Sequence, residues 1–212
     1  LNQTAHEGDL YLPGSVPNPY FEVKWAMEME AMRATAQGLP VVIVLPTAVF
    51  GPGDVKPSSG VLLLSIARGR IPGYVEGTVN VVDVRDVAAG HIAAAGKGKP
   101  GRRYLLGGHN LTIRELLTTV TEAVGRRPPR SRLPLWLVRA AARAGHVLKL
   151  PGTYHLQAID HWRALDASRA RGELGLAEPR PFQQTCHDAL AWFHEQGYLD
   201  VQPIAQPAQE EN

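Results

Sequence analysis

The stretch GLPVVIVLPTAVFGPGD, residues 38–54, carries the strongest fold signal in the chain. Its centre, VVIVLP at 41–46, is a run of apolar, mostly β-branched residues without alternation. A strand with one face in water alternates apolar and polar side chains, whereas a strand covered by helices on both faces does not. The run therefore predicts a covered strand in a parallel sheet, and so an α/β fold. The strand leads into LPTAVFGPGD at 45–54, a proline-bounded turn with two glycines, where backbone approaches a ligand closely. Ligands of open α/β sheets bind beyond the carboxyl ends of the strands, which makes this turn a candidate wall of a site.

Upstream, Asn18 is a good N-cap and Pro19 suits the first helical position, so the pattern predicts a helix running to about Gln37, ended by Gly38 and Pro40. Downstream come a glycine- and proline-bearing loop at 51–57, a short apolar helix at about 60–68, a small strand pair around 72–82 and a helix at about 86–96. RRYLLGG at 102–108 reads as a strand and LTIRELLTTVTEAVG at 111–125 as a helix, with Thr112 and Glu115 at the spacing of a capping box. From 134 the strand signal fades. PLWLVRAAARAGHVLKL (134–150), which carries Arg139 and Arg143, and RPFQQTCHDALAWFHEQGYL (180–199) are amphipathic helices. A basic amphipathic helix suits a membrane surface, but packing of its apolar face on a core is the commoner use. The last residues, 200–212, lack periodicity and read as a frayed tail. The expected organisation is a sheet domain over 1–125 with a substrate loop at about 50–80, a mainly helical lobe over 126–199, and the tail.

With 44% hydrophobic and 20% charged residues, a chain of 212 residues buries one sizeable core with a small lobe attached. Its longest apolar runs, 38–46 and 61–67, fall well short of the roughly 20 residues that span a bilayer. A single cysteine, Cys186, leaves no internal disulfide framework and fits a reducing, cytoplasmic setting. The formal charge of +2 demands no nucleic-acid partner. The one basic run, GRRPPRSR at 125–132, is rich in proline and reads as a solvated connector rather than a phosphate-binding patch. The chain opens on Leu1 rather than methionine, so an upstream part removed by processing or truncation is expected.

Tyr20 and Lys24 lie four residues apart at the start of the first helix, and so on one face of it. Two readings are open on these residues alone: a chance surface pair, or an acid and its tuner. A free tyrosine titrates near pH 10, and a lysine cation close by favours the phenolate, which makes the hydroxyl a usable acid and base near neutrality. The helix feeds directly into the covered strand and its glycine-proline turn, which brings tyrosine, lysine and turn towards one place.

The ordered motifs PYFEVKWAMEMEAM, GLPVVIVLPTAVFGPGD, NVVDVRDVAAGHIAAA, RRYLLGGHNLTIREL and DASRARGELGLAEPRPFQQTCHDALAWFHEQGYL resemble the extended short-chain dehydrogenase/reductases, the NAD-dependent epimerase/dehydratase group, over about 17–199. Within that group the pattern is closest to the dihydroflavonol-reductase-like and hopanoid-associated sugar-epimerase branch. The resemblance implies the C-terminal part of a doubly wound, Rossmann-like parallel sheet with a smaller helical substrate lobe, and a cofactor that is NAD or NADP. It implies Tyr20 as catalytic acid/base, and Lys24 as its tuner and ligand of the nicotinamide ribose. Glu28 matches an acidic residue common four positions further on. Pro46, Thr47, Ala48 and Val49 would line the nicotinamide side through their backbone. The loop from Phe50 to about Tyr74, with Lys56 and Arg70, would face a small-molecule substrate such as a nucleotide-sugar, a flavonol-like or a lipid-linked compound. A homodimer through the helix of Tyr20 and Lys24 is also expected.

The departures from that pattern matter too. Val23 stands where the family usually has serine, and DVRDVA replaces HVDDVA, so that Asp83 and Arg85 stand for a histidine and an acid while Asp86 is retained. No GxGxxG or GxxGxxG occurs, and the serine or threonine that normally precedes the tyrosine is missing unless Thr4 serves. The chain thus reads as the C-terminal portion of a longer enzyme, inactive as given. The competing reading is a non-catalytic or regulatory binding protein that keeps the fold without a complete dinucleotide site. No metal site is expected: His155 and His161 are six apart, His187 and His194 seven, and neither pair has a close-spaced second ligand set. Cys186 reads as a buried, inert thiol, and Ser58 and Ser59 lack the glycine-framed elbow of a hydrolase.

Overall fold

The computed structural model describes residues 4–16, 18–147 and 162–204. Helix α1 (Pro19–Ala36) starts as its sequence dictates: Asn18 Oδ1 accepts the Tyr20 N–H at 3.0 Å, and Pro19 sits where a missing N–H costs nothing. None of its residues is buried. The covered run becomes β1 (Ile43–Pro46), parallel to β4 (Arg103–Leu106) with Ile43 opposite Arg103 and Pro46 opposite Leu106. Burial falls along β1, from buried Ile43 through half-buried Val44 and Leu45 to exposed Pro46, and β4 is its only strand neighbour among the described residues.

One residue, Thr47, separates β1 from β2 (Ala48–Phe50), and across it the chain passes from one sheet to another. The second sheet has the order β2-β3-β5, with β3 (Thr78–Asp83) parallel to β2 and antiparallel to β5 (His109–Thr112). Parallel pairs in both sheets, separated by helices, bear out the α/β reading. The expected strand pair at 72–82 is different: β3 pairs with β2 and β5, not with the residues just before it. Instead Tyr74 bridges to Arg132, and Gly73 lies so close to the Ser131 carbonyl that a Cβ there would come within 2.5 Å. That close approach holds 73–74 beside 131–133 and leaves no partner for a local hairpin.

Two cores flank the strands. Period-two alternation along β3 sends Val79 and Val81 to one side and Val82 to the other. The larger core joins α2 (Gly60–Ala67), α4 (Ile113–Ala123) and α7 (Phe182–Glu195) through Leu63, Ile66, Leu116, Val120, Leu190 and Phe193. The smaller joins α3 (Val84–Lys97), β4 and α6 (Ser168–Leu174) around Tyr104, Leu106 and Leu174. The capping box of α4 forms as its spacing predicts: the Glu115 N–H donates to Thr112 Oγ1 at 3.1 Å and the Thr112 N–H to Glu115 Oε2 at 2.7 Å. Helix α5 (Leu135–Val147) follows the 125–132 connector. His155, His161, the end of the 134–150 pattern and the tail beyond Ile204 lie outside the described residues. No helix among the described residues is long and apolar enough to cross a membrane.

Candidate active site

Tyr20 occupies the first turn of α1 and is 57% exposed, and the Lys24 ammonium lies 5.6 Å from the centre of its ring. The four-residue spacing thus brings the two together, as a helix requires. The lead segment braces this turn. Glu22 accepts from the Tyr11 hydroxyl and the Gly14 N–H, each at 2.7 Å, and Tyr11 stacks on Phe21 at 6.1 Å. The Gly14 amide and the Tyr11 hydroxyl hold the Glu22 carboxyl below the usual carboxylate range. One turn on, Glu28 faces Arg103 of β4 at 2.5 Å, nearly buried and out of hydrogen-bond alignment, so the two are matched by charge. Arg103 Nη1 also donates to the Glu7 carbonyl at 2.6 Å, and buried Glu7 accepts the Leu105 N–H at 3.0 Å. Residues 7–14 therefore strap α1 to β4, through Glu7 at the strand and Tyr11 and Gly14 at the helix, a role no local pattern in the polar lead announces.

Thr47 ties the two sheets together. Its N–H donates to Leu106 O at 3.2 Å in the first sheet, and its hydroxyl to Asn80 Oδ1 at 2.9 Å in the second. Asn80, 3% exposed, also accepts the Gly108 N–H at 3.0 Å and donates through Nδ2 to Asn110 Oδ1 at 2.8 Å. Asn110 in turn holds both the N–H and the carbonyl of Leu165. Within the stretch Pro46, Thr47, Ala48 and Val49, the Thr47 side chain is thus tied to one buried amide, while Pro46 pairs with β4 and Ala48 and Val49 with β3. The sequence reading missed Asn80; its signal was a polar residue inside the apolar run TVNVVD.

Beyond this junction the turn at 51–54 borders a cavity of about 250 Å³, lined by Val49, Phe50, Asp54, Ser59 and Phe193 among others. Phe50 is itself buried, packed edge-on against Phe182 at 5.8 Å, so its ring belongs to the larger core. Asp54 accepts the N–H groups of Ser58 and Gly60, each at 3.0 Å, which occupies the donors at the start of α2. Lys56 and Arg70 are exposed, and Tyr74 is half-buried under the Arg114 guanidinium at 5.8 Å.

The DVRD stretch, whose substrate contact the sequence left in doubt, is knitted into the fold. Asp83, 2% exposed, caps α3 through the Arg85 N–H at 2.7 Å and accepts the Thr185 hydroxyl at 2.8 Å from α7. Arg85 bridges Asp83 and Asp188, each at 2.7 Å. Burial works against the Asp83 carboxylate, but the hydrogen bonds from Arg85 and Thr185 outweigh it and hold the carboxyl below its ordinary range. Asp86 pairs with Arg180.

The sequence pattern of one protein family, described as NAD dependent epimerase/dehydratase, matches residues 2–107, half of the chain. This chain belongs to the NAD dependent epimerase/dehydratase family. Within the family it is 35% identical over 195 residues to a Synechocystis protein provisionally named a dihydroflavonol 4-reductase, covering 86% of this chain and 57% of that protein. It is 34% identical over 190 residues to the sterol demethylase protein B of Methylococcus capsulatus, covering 85% and 58%. Among solved structures, a nucleoside-diphosphate-sugar epimerase from Pseudomonas aeruginosa superposes with a TM-score of 0.80 at 33% identity, over 93% of this chain and 62% of the other. The chain thus spans little more than half the length of the curated relatives it matches. The family relation and the parallel strands between helices together bear out the Rossmann-like α/β expectation.

Proposed function

We propose that the whole protein is an NAD(P)-dependent reductase or epimerase/dehydratase that acts on a hydroxyl or carbonyl of a small molecule, with Tyr20 as acid/base and Lys24 as its partner. The observation that carries this reading is the Lys24 ammonium, 5.6 Å from the Tyr20 ring centre, at the first turn of a helix in a chain of this family. The donor set fits a nicotinamide ribose: among the described residues neither the Tyr20 hydroxyl nor the Lys24 ammonium is committed to another hydrogen bond or a carboxylate. When bound, the cofactor supplies hydride exchange. Lys24 holds the ribose hydroxyls and keeps positive charge beside the phenol, and Tyr20 Oη gives or takes the proton of the substrate oxygen. Pro46–Val49 offer backbone beside the cofactor, with Thr47 held by Asn80.

Relatives named as a dihydroflavonol reductase, a sterol demethylase protein and a nucleoside-diphosphate-sugar epimerase support a polycyclic or sugar-bearing alcohol or ketone as substrate. Lys56, Arg70 and Tyr74 are the residues we assign to its polar groups. A cytoplasmic enzyme paired through α1 is part of the same reading, supported by Val23 and Met27, both exposed on that helix. The test is Tyr20→Phe in the whole protein. Turnover should fall by about 10²–10⁴-fold with cofactor binding nearly intact; unchanged turnover sinks the assignment.

A further inference from the structure

The basic connector 125–132 is not wholly solvated. Beside it lies a cavity of about 350 Å³ lined by Ile66, Ile71 and Pro72 and by Arg126 and Arg127. Ile66 belongs to the larger core, so the floor of the cavity is apolar. Arg126 is laid into it: Gly69, in the left-handed region at φ +72, leaves the room, and a Cβ there would stand 2.8 Å from Arg126 Nη1. Thr121 also lines the cavity, but its hydroxyl donates to the Leu117 and Thr118 carbonyls and acts as wall.

The charge of the two arginines is what asks for an occupant. Several arginines of this chain meet carboxylates, as Arg85 does Asp83, Arg103 Glu28 and Arg180 Asp86, while Arg68 and Arg114 turn instead to the Tyr198 carbonyl and the Tyr74 ring; Arg126 and Arg127 line one cavity together. Arg126 and Arg127 have no carboxylate partner among the described residues. Two guanidinium groups lining one cavity offer planar forks of donors matched to phosphate oxygens, and the apolar residues that line it with them shield part of whatever they hold from water. A space of this volume takes a small organic body, not an inorganic ion alone.

We propose that this cavity binds the phosphate group of an organic phosphate whose apolar body rests on Ile66, Ile71 and Pro72. The site is separate from Tyr20 and Lys24 and does not depend on their role. Phenyl phosphate, inorganic phosphate and phenol, each titrated into the chain at constant ionic strength and followed by heteronuclear NMR, are the probes. Phenyl phosphate should saturate at concentrations on the order of 1 mM, with shifts at Gly69, Ile71 and Arg126. Inorganic phosphate and phenol should each bind at least about fivefold more weakly, since each lacks one half of the contact. The double variant Arg126→Gln/Arg127→Gln changes two exposed side chains and should weaken phenyl phosphate at least about tenfold, with circular dichroism unchanged. Sedimentation with phosphatidate vesicles separates the sources of the phosphate: capture that needs both arginines assigns it to a lipid headgroup, and no capture with phenyl phosphate still bound assigns it to a soluble metabolite. Absence of saturable phenyl phosphate binding, or equal binding by the double variant, overturns the proposal.

Discussion

Thr47 Oγ1 donates to Asn80 Oδ1 at 2.9 Å across 33 residues of sequence, and this one bond joins the end of the first sheet to the middle of the second. The same Asn80 oxygen takes the Gly108 N–H at 3.0 Å. Asn80→Ala would leave the half-buried Thr47 hydroxyl and Gly108 N–H without their acceptor, and donors left unpaired away from water each cost about 1–3 kcal/mol, with the lower end expected where water has access. A loss of about 2–4 kcal/mol in urea unfolding is expected. An unchanged urea midpoint would show that water or relaxation replaces the amide, and that Asn80 does not hold Thr47 in place.

What could be read in advance here had local causes. The start of α1 follows from Asn18 and Pro19, and the box at the head of α4 from Thr112 and Glu115, because caps satisfy backbone donors only a few residues away. The β1 run announced itself through unbroken apolar character. By contrast β2 and β5 are three and four residues long, and HNLT has neither period nor β-branched density, so pairing with β3 creates them. The roles of Asn80, Glu7 and Arg103 were hidden for a related reason: each is set by a partner dozens of residues off, as Arg103 is by Glu28 and by the Glu7 carbonyl. Tyr20 and Lys24 were legible through their i, i+4 spacing, which a helix converts directly into contact.

Lys24 carries two proposed tasks, and its replacement should therefore differ from that of Tyr20. Lys24→Met keeps the stem and helix propensity of the side chain but removes the charge. In the whole protein it should lower turnover by at least about 10²-fold and also weaken cofactor binding about tenfold, where Tyr20→Phe affects turnover alone. Fluorescence titration with the reduced cofactor separates the two variants. If Lys24→Met binds cofactor as tightly as the parent, the ribose contact is wrong.

Asp83 makes stability depend on pH in the acid range. Its folded-state carboxyl lies below the ordinary value near 3.9, so the carboxylate contributes stability that is fully present above about pH 4 and is lost as pH falls through the depressed folded value. Asp83→Asn removes that contribution and leaves Arg85 with Asp188 as its remaining carboxylate. The variant should be less stable by about 2–3 kcal/mol at neutral pH, and the gap should close towards pH 2. Glu22 and Glu115, also held low by their hydrogen bonds, keep some acid sensitivity in both proteins. A gap that stays constant between pH 7 and about pH 2.5 would mean that the cost of the variant is packing against Thr185 and not charge.

Cys186 gives the same linkage the opposite sign. Fully buried in α7 within the larger core, its thiol is pushed up to about 12 by desolvation, with no cation to favour the thiolate. The neutral thiol is therefore the folded form, and its contribution to stability is present below about pH 8.5 and fades as pH rises towards the folded value. A disulfide reagent at about pH 8 should modify native protein only through opening of the α4–α7 core, so the labelling rate should rise with urea in step with the opening of that core. Phe193→Ala, which removes a fully buried ring from the same core at a cost of about 3–5 kcal/mol, should accelerate labelling by at least about a hundredfold. Rapid labelling of the native parent, unaffected by urea, would show that the thiol reaches solvent without unfolding and that α7 is not held as the hydrogen bond from Thr185 to Asp83 requires.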